Sequence, residues 1–420
     1  MRATKNSGFE WIGEIPTSWE LYKGKYMFTQ RNLRGNTIEL QLLSPTQKYG
    51  VVPQSVYEDR SGMNAVKLNE NANLSALKTI HKGDFCISLR SFQGGFEYSE
   101  YEGVVSPAYQ VFYPVVKIAR GYYKYLFKDS GFIEKMNSYT MTLRDGKNIA
   151  FADFGNTYIP CPPIDEQQRI ADFLDTKCAE IDALTADIQT QIDTLEQYKR
   201  SVITETVTKG LNPNAEMKNS GIEWIGDMPA HWDVIRGKYI LRYMQKPVRE
   251  DDGVITCFRD GEVTLRSNRR EDGFTMSDKE IGYQGIDVGD LVVHGMDGFA
   301  GAIGISDSRG KASPVLNVLD TKQNKRYIMY YLRSMAYSDV FLALATGIRV
   351  RSCDLRWNKL AELSYPVPPL NEQNAIVKHI DSVLSKADAV IADKKAQLAT
   401  LDEYKKSLIF EYVTGKKEIV

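Results

Sequence analysis

The chain has 420 residues, 43% apolar and 25% charged, with 53 Lys and Arg against 54 Asp and Glu. This is long enough for two or more domains, and the five scattered cysteines, without CxxC spacing, exclude a disulfide scaffold or zinc-finger pattern. No run of roughly 18–20 apolar residues marks a membrane span.

Residues 1–6 lack the apolar core of a signal peptide, so a cytoplasmic protein is expected. Charge varies by region. Residues 1–160 carry a net +4 and residues 161–210 a net −5, while 211–365 and 366–420 are balanced. A polyanion partner would therefore have to meet bases and acids sorted onto different faces, because global charge gives it no support.

The first landmark along the chain is Lys5-Asn-Ser-Gly-Phe-Glu-Trp-Ile-Gly-Glu-Ile-Pro-Thr-Ser-Trp19. Between Tyr22 and Ile159 the apolar runs are short and β-rich: Phe85 to Leu89, Tyr109 to Tyr113 and Asn156 to Ile159. A helix is predicted from Tyr122 to Met136, ahead of a loop Arg144-Asp-Gly-Lys147. Pro162-Pro163 then ends a strand, and a long helix is predicted from Glu166 to Thr208.

The same order then recurs. Lys218-Asn-Ser-Gly-Ile-Glu-Trp-Ile-Gly-Asp-Met-Pro-Ala-His-Trp232 matches the opening at ten of fifteen positions, offset by 213. Strands are expected at Asp290 to Val293 and Pro314 to Val318, a helix from Tyr327 to Ala345, then the basic run Gly347-Ile-Arg-Val-Arg351. Gly83-Asp84 aligns with Gly289-Asp290, and Ser106-Pro107 with Ser313-Pro314. Pro368-Pro369-Leu-Asn-Glu372-Gln373 repeats Pro162-Pro163-Ile-Asp-Glu166-Gln167 at an offset of 206. The chain is a tandem duplication whose edges agree and whose interiors have diverged.

Both long helices carry a heptad. Leu174, Ile181, Ile188, Leu195 and Val202 share one position, with Ile170, Leu184 and Tyr198 at the other, interrupted by Lys177 and Gln191. The second helix has Ile380, Ala387, Leu401 and Leu408, then Ile376, Val383, Val390 and Tyr404. Sustained 3.5-residue spacing predicts a coiled coil, with the other copy as the partner of equal length. Gln191 and Gln397 take the same expected seam position and are candidates to set the pairing register. The bland alternative is two unrelated solvent-facing glutamines. A helix of this length is a rod of roughly 60 Å, suited to a ruler between two domains.

No catalytic motif survives inspection. Gly304 to Ala312 has one residue too many for a phosphate loop and Ala where Ser or Thr would reach Mg²⁺. Gly295, Gly298, Gly301 and Gly304 lack the helix of a dinucleotide fingerprint and read as turn or bulge glycines. His81, His231, His294 and His379 are too scattered for a metal cluster. Cys161-Pro-Pro-Ile164 and Val367-Pro-Pro-Leu370 lack the polar first and aromatic last residue of an amino-methyltransferase motif. Asp320-Thr-Lys322 has no paired acid to complete a nuclease metal site.

The Trp-Ile-Gly-Glu/Asp-x-Pro-x-x-Trp opening, the Pro-Pro-x-x-Glu-Gln helix start and the duplicated order resemble the specificity (S) subunit of type I restriction–modification enzymes, over nearly the whole chain. The resemblance implies an α+β fold with an internal pseudo-twofold repeat. Residues 1–160 and 211–365 would be target-recognition domains, separated by two long antiparallel coiled-coil helices in 161–210 and 366–420. It implies binding of a bipartite site in double-stranded DNA, and no catalysis or cofactor in this chain. S-adenosylmethionine is expected on partner methyltransferase (M) subunits, and ATP and Mg²⁺ on restriction/translocation (R) subunits.

Polar loop clusters are the candidates for base contact: Arg90, Ser91, Gln93, Arg144 and Lys147 in the first domain, and Arg266, Arg269, Arg270, Arg349 and Arg351 in the second. Arg contacts guanine bidentately and Gln does so for adenine; the plain alternative for each is a solvated side chain. Trp11 with Trp19, and Trp224 with Trp232, are expected as packing anchors at the helix bases rather than base-stacking platforms. Leu174, Ile181, Gln191, Leu195 and Tyr198 are expected to pair with Ile380, Gln397, Leu401 and Tyr404. The runner-up is a coiled-coil scaffold whose two modules bind proteins and no DNA.

Overall fold

The computed structural model describes residues 2–34, 41–65, 74–88, 95–139, 149–269, 280–344 and 355–419. The opening motif is a hairpin, and its repetition has a local cause. Gly8 and Gly221 take left-handed φ of 78° and 74°, and their amides donate to the side chains of Asn6 and Asn219 at 2.7 and 2.9 Å. That turn pairs Thr4–Asn6 with Glu14–Pro16, and Met217–Asn219 with Asp227–Pro229.

Beyond the hairpins the two copies use one topology. Glu20–Lys23 pairs antiparallel with Tyr158–Cys161, the strand that leads into the first long helix; Asp233–Arg236 pairs likewise with Ser364–Val367. The central sheet of the first copy has the order Phe28–Arg31, Gln110–Pro114, Phe85–Ile87, Phe96–Tyr98. In the second copy it is Leu241–Met244, Leu316–Thr321, Leu291–His294, Ile303–Ile305. A smaller pair, Lys78–Ile80 with Gly103–Val105, recurs as Gln284–Ile286 with Gly310–Ala312.

Two helices predicted as single are broken, each by an aspartate. In place of Tyr122 to Met136 there are Arg120–Leu126 and Ser130–Ser138, because the Asp129 carboxylate accepts the Phe132 amide at 2.9 Å and caps the second helix. In place of Tyr327 to Ala345 there are Lys325–Tyr337 and Val340–Ala343, separated by Asp339 with φ of 55°. Asn156 also leaves its predicted strand and ends the helix Phe151–Asn156. The glycines near 300 are structural: Gly298–Ala300 is one 3-10 turn, and a Cβ on Gly304 would lie 2.0 Å from Gly261 O.

The long helices run Ile164–Lys209 and Leu370–Val413. The chain divides into two compact units, Met1–Ile188 with Ala396–Val420, and Gln189–Lys395. These cut across the expected four-segment division, since each unit takes part of both helices. Within the first unit the helices run antiparallel, with the Lys405 ammonium 2.5 Å from Asp182 and Phe173 against Tyr412. The second unit has the same sense, with Lys199 2.6 Å from Asp388 and Lys394 hydrogen-bonded to Gln191.

The seam differs from the expected one. Leu174, Ile181 and Ile380 are buried, and Leu195 and Leu401 are half-buried. Ile170 and Ile376 hold the expected second position and are buried, but beside Leu174, Ile188 and Ala387 the buried partner lies four residues on, at Cys178, Ile192 and Ile391, rather than three. Leu184, Tyr198, Val390 and Tyr404 are 48%, 51%, 45% and 54% exposed, and Gln191 and Gln397 are exposed as well. The two glutamines therefore lie at the solvent edge of the helix pair, Gln191 bonded across it to Lys394. No helix among the described residues is long and apolar enough to cross a membrane.

Candidate nucleic-acid interface

Each domain is fixed to the helix that follows it by the same joint, built from the Glu-Gln pair. Gln167 is buried; its Oε1 accepts the Ala119 amide at 2.9 Å and its Nε2 donates to Pro162 O at 2.8 Å. Gln373 does the same with the Asn324 amide at 2.9 Å and Pro368 O at 2.8 Å. A buried amide with satisfied donor and acceptor admits one geometry, so the side chain orients the helix start.

Trp19 and Trp232 are 0% exposed. The Trp19 indole donates to Glu166 at 3.0 Å, and Glu166 also pairs with Arg2. In the second copy the Glu372 carboxylate instead lies 2.9 Å from Nε2 of the His231 ring. Both tryptophans are thus packing anchors, and neither has a face open for a base.

Each domain also holds the end of the other long helix. The Tyr122 hydroxyl donates to Val413 O at 2.6 Å, and the Tyr327 hydroxyl lies 3.1 Å from Val207 O. Tyr125 with Asp175 and Tyr330 with Asp381 repeat a 2.6 Å hydrogen bond. These bonds tie each domain to the parts of both long helices in its own unit.

Of the loop candidates, Arg90, Ser91, Gln93, Arg144, Lys147, Arg270, Arg349 and Arg351 lie outside the described residues. Arg266 starts the turn Arg266–Asn268 and donates from Nε to Thr256 Oγ1 at 3.2 Å. Arg269 lies just past that turn, 2.7 Å from Asp260 and 2.9 Å from Glu262, its guanidinium 4.1 Å from the Phe258 ring centre. Both carboxylates meet the same nitrogen, Nη1. Asp320 is held by Arg242 and Lys325 at 2.8 and 3.1 Å, which keep its carboxyl below the usual range.

One exposed feature escaped the loop-based expectation. The short helices Gly24–Met27 and Gly237–Ile240 carry Lys25-Tyr26 and Lys238-Tyr239, with the tyrosines 62% and 74% exposed. The signal was present, since the offset of 213 continues from Trp19 and Trp232 through these residues.

The profile described as "Type I restriction modification DNA specificity domain" matches residues 17–194. That stretch is less than half of the chain. The putative type I restriction enzyme MjaX specificity subunit of Methanocaldococcus jannaschii is 24% identical over 61% of this chain and 59% of its own length. The MjaVIII specificity subunit of the same organism is 24% identical over 66% and 67%, and the EcoBI specificity subunit of Escherichia coli 22% over 68% and 64%. The match to the MjaX subunit thus spans less than two thirds of that protein.

Two solved structures share the fold over nearly the full chain. The HsdS subunit from Thermoanaerobacter tengcongensis covers 98% of this chain at TM-score 0.51 and 14% identity. A chain from a study of complex assembly and conformational transition of the type I R-M system covers 96% at TM-score 0.68 and 15% identity. The duplicated α+β architecture is therefore the specificity-subunit fold.

Proposed function

We propose that the chain is the DNA-reading subunit of a type I restriction–modification complex, each globular domain reading one half of a bipartite, asymmetric site. One observation carries this: a single sheet order and a single Gln-centred helix joint occur twice, while the polar loops differ. Base contacts specify and phosphate contacts position, so two like frames with unlike loops suit two unlike half-sites. The continuous helices set the gap between the half-sites.

The chain itself is non-catalytic in this proposal. Methyltransferase subunits carrying S-adenosylmethionine modify adenine, and motor–nuclease subunits use ATP and Mg²⁺. Leu184 and Tyr404 in one unit, and Val390 and Tyr198 in the other, are repeat-related exposed apolar side chains on the helices. They offer equivalent docking points for two copies of one methyltransferase subunit.

The test is a footprint of the chain purified with its methyltransferase partner. Protection of two short specified sequences separated by a few unspecified base pairs is expected. Binding without sequence preference at moderate salt would overturn the proposal.

A further inference from the structure

In a duplication whose interiors have diverged, exposed identities between copies call for a cause. Lys23-Gly24-Lys25-Tyr26 and Arg236-Gly237-Lys238-Tyr239 are such a pair. Packing explains the glycines: a Cβ would lie 2.7 Å from Phe154 O in the first copy and 2.3 Å from Leu360 O in the second. Packing does not explain the next two residues, which are solvent-exposed in both copies.

Both turns are cationic and aromatic. Lys25 Nζ lies 5.6 Å from the Tyr26 ring centre and donates to Asn156 Oδ1 at 3.2 Å. Lys23 Nζ lies 5.3 Å from the Tyr158 ring centre. In the second copy Lys238 Nζ lies 5.5 Å from the Tyr239 ring centre. There Arg236 and Lys238 share one carboxylate, Glu362, at 2.8 and 3.0 Å, leaving one positive charge over. Each turn packs on the helix that follows, in the chain, the basic segment containing Arg144 and Lys147 or Arg349 and Arg351.

We propose that these two turns are sequence-independent DNA contacts, each placing its lysine ammonium and tyrosine hydroxyl on backbone phosphates beside one half-site. The inference rests on the DNA-reading function above and assigns its backbone-holding part. Phosphates are the same at both half-sites whatever the bases, so the residues that hold them need not diverge between copies. A protein partner common to both units would also be met by identical residues. Lysine, however, is depleted in the cores of protein interfaces, and a net positive turn suits a polyanion.

The experiment uses the full chain with its methyltransferase partner. It compares a duplex carrying the site selected from a random pool with an unrelated duplex of equal length, over a range of KCl. Lys25→Ala with Tyr26→Ala, and separately Lys238→Ala with Tyr239→Ala, should weaken both duplexes together by about tenfold and lower the salt slope by about one per lysine. Lys25→Arg should restore most of the affinity. Glu362→Asn, which gives the second copy the residue found at Asn156, should bind both duplexes more tightly with a steeper salt slope.

Unchanged affinity in the alanine variants, or loss confined to the selected duplex, overturns the proposal. So does loss of the methyltransferase partner in the absence of DNA, which would make the turns a protein-docking surface. Should the alanine variants misfold, no gain in Glu362→Asn overturns it alone. Failure of the wild type to prefer any duplex would instead defeat the DNA-reading function itself.

Discussion

Glu97 is fully buried with both carboxylate oxygens 2.7 Å from the Lys128 ammonium, yet burial outweighs that cation and pushes its carboxyl up to about 7. A carboxyl with a raised folded-state pKa holds its proton more tightly in the folded chain. Its contribution to stability is therefore complete below about pH 4.5 and is lost as the pH rises through about 7. Asp129, pushed up to about 6 by burial, adds to the same slope. Glu97→Gln should flatten the fall of thermal stability between pH 5 and roughly 7.5, followed by near-ultraviolet circular dichroism. Parallel wild-type and variant slopes would place the pH dependence on other groups.

The helices show why one residue of phase matters. Leu174 is 0% exposed, so Leu174→Ala should cost about 2–5 kcal/mol in urea unfolding. Leu184, apolar and in the expected seam, is half-exposed; Leu184→Ala should stay within about 0.5 kcal/mol. A reversal of that ranking would restore the seam read from the heptad. The period was legible in the sequence because Leu174, Ile181 and Ile188 recur without a gap. The second seam position was not, because Leu184 and Tyr198 advertise one face while Cys178 and Ile192, one residue on from Lys177 and Gln191, occupy the other. An exposed Leu or Tyr is indistinguishable from a core one until its neighbours are known. The helix breaks at Asp129 and Asp339 were hidden for a related reason: both aspartates sit in otherwise helical apolar patterns, and only cap geometry and a left-handed φ expose the stop. The Glu-Gln joint was visible as a repeat, but nothing in the repeat says that Gln167 and Gln373 bond the Ala119 and Asn324 amides.

At the scale of the molecule, each domain has its own cores, one around Trp19 and Phe28 and another around Trp232 and Tyr327. Exchange of residues 22–158 for those of a relative should therefore change one half-site and leave the other, as read by methylation mapping. A change in both halves would contradict separate readers. The duplicated frame was legible from the matching edges at offsets of 213 and 206. The base contacts were not, because Arg269 looks identical on paper whether it faces a guanine or, as here, Asp260 and Glu262. The division into units also bears on the order of synthesis. Gln189–Lys395 is one uninterrupted stretch, whereas the other unit takes Leu408, Ile409 and Val413 into the core around Trp19. The first domain thus waits for Ala396–Val420 to emerge from the ribosome, while the second has its parts in hand once Lys395 is made. A frameshift just after Lys395 would take Leu408, Ile409 and Val413 out of the core around Trp19 and leave the core around Trp232 its own residues.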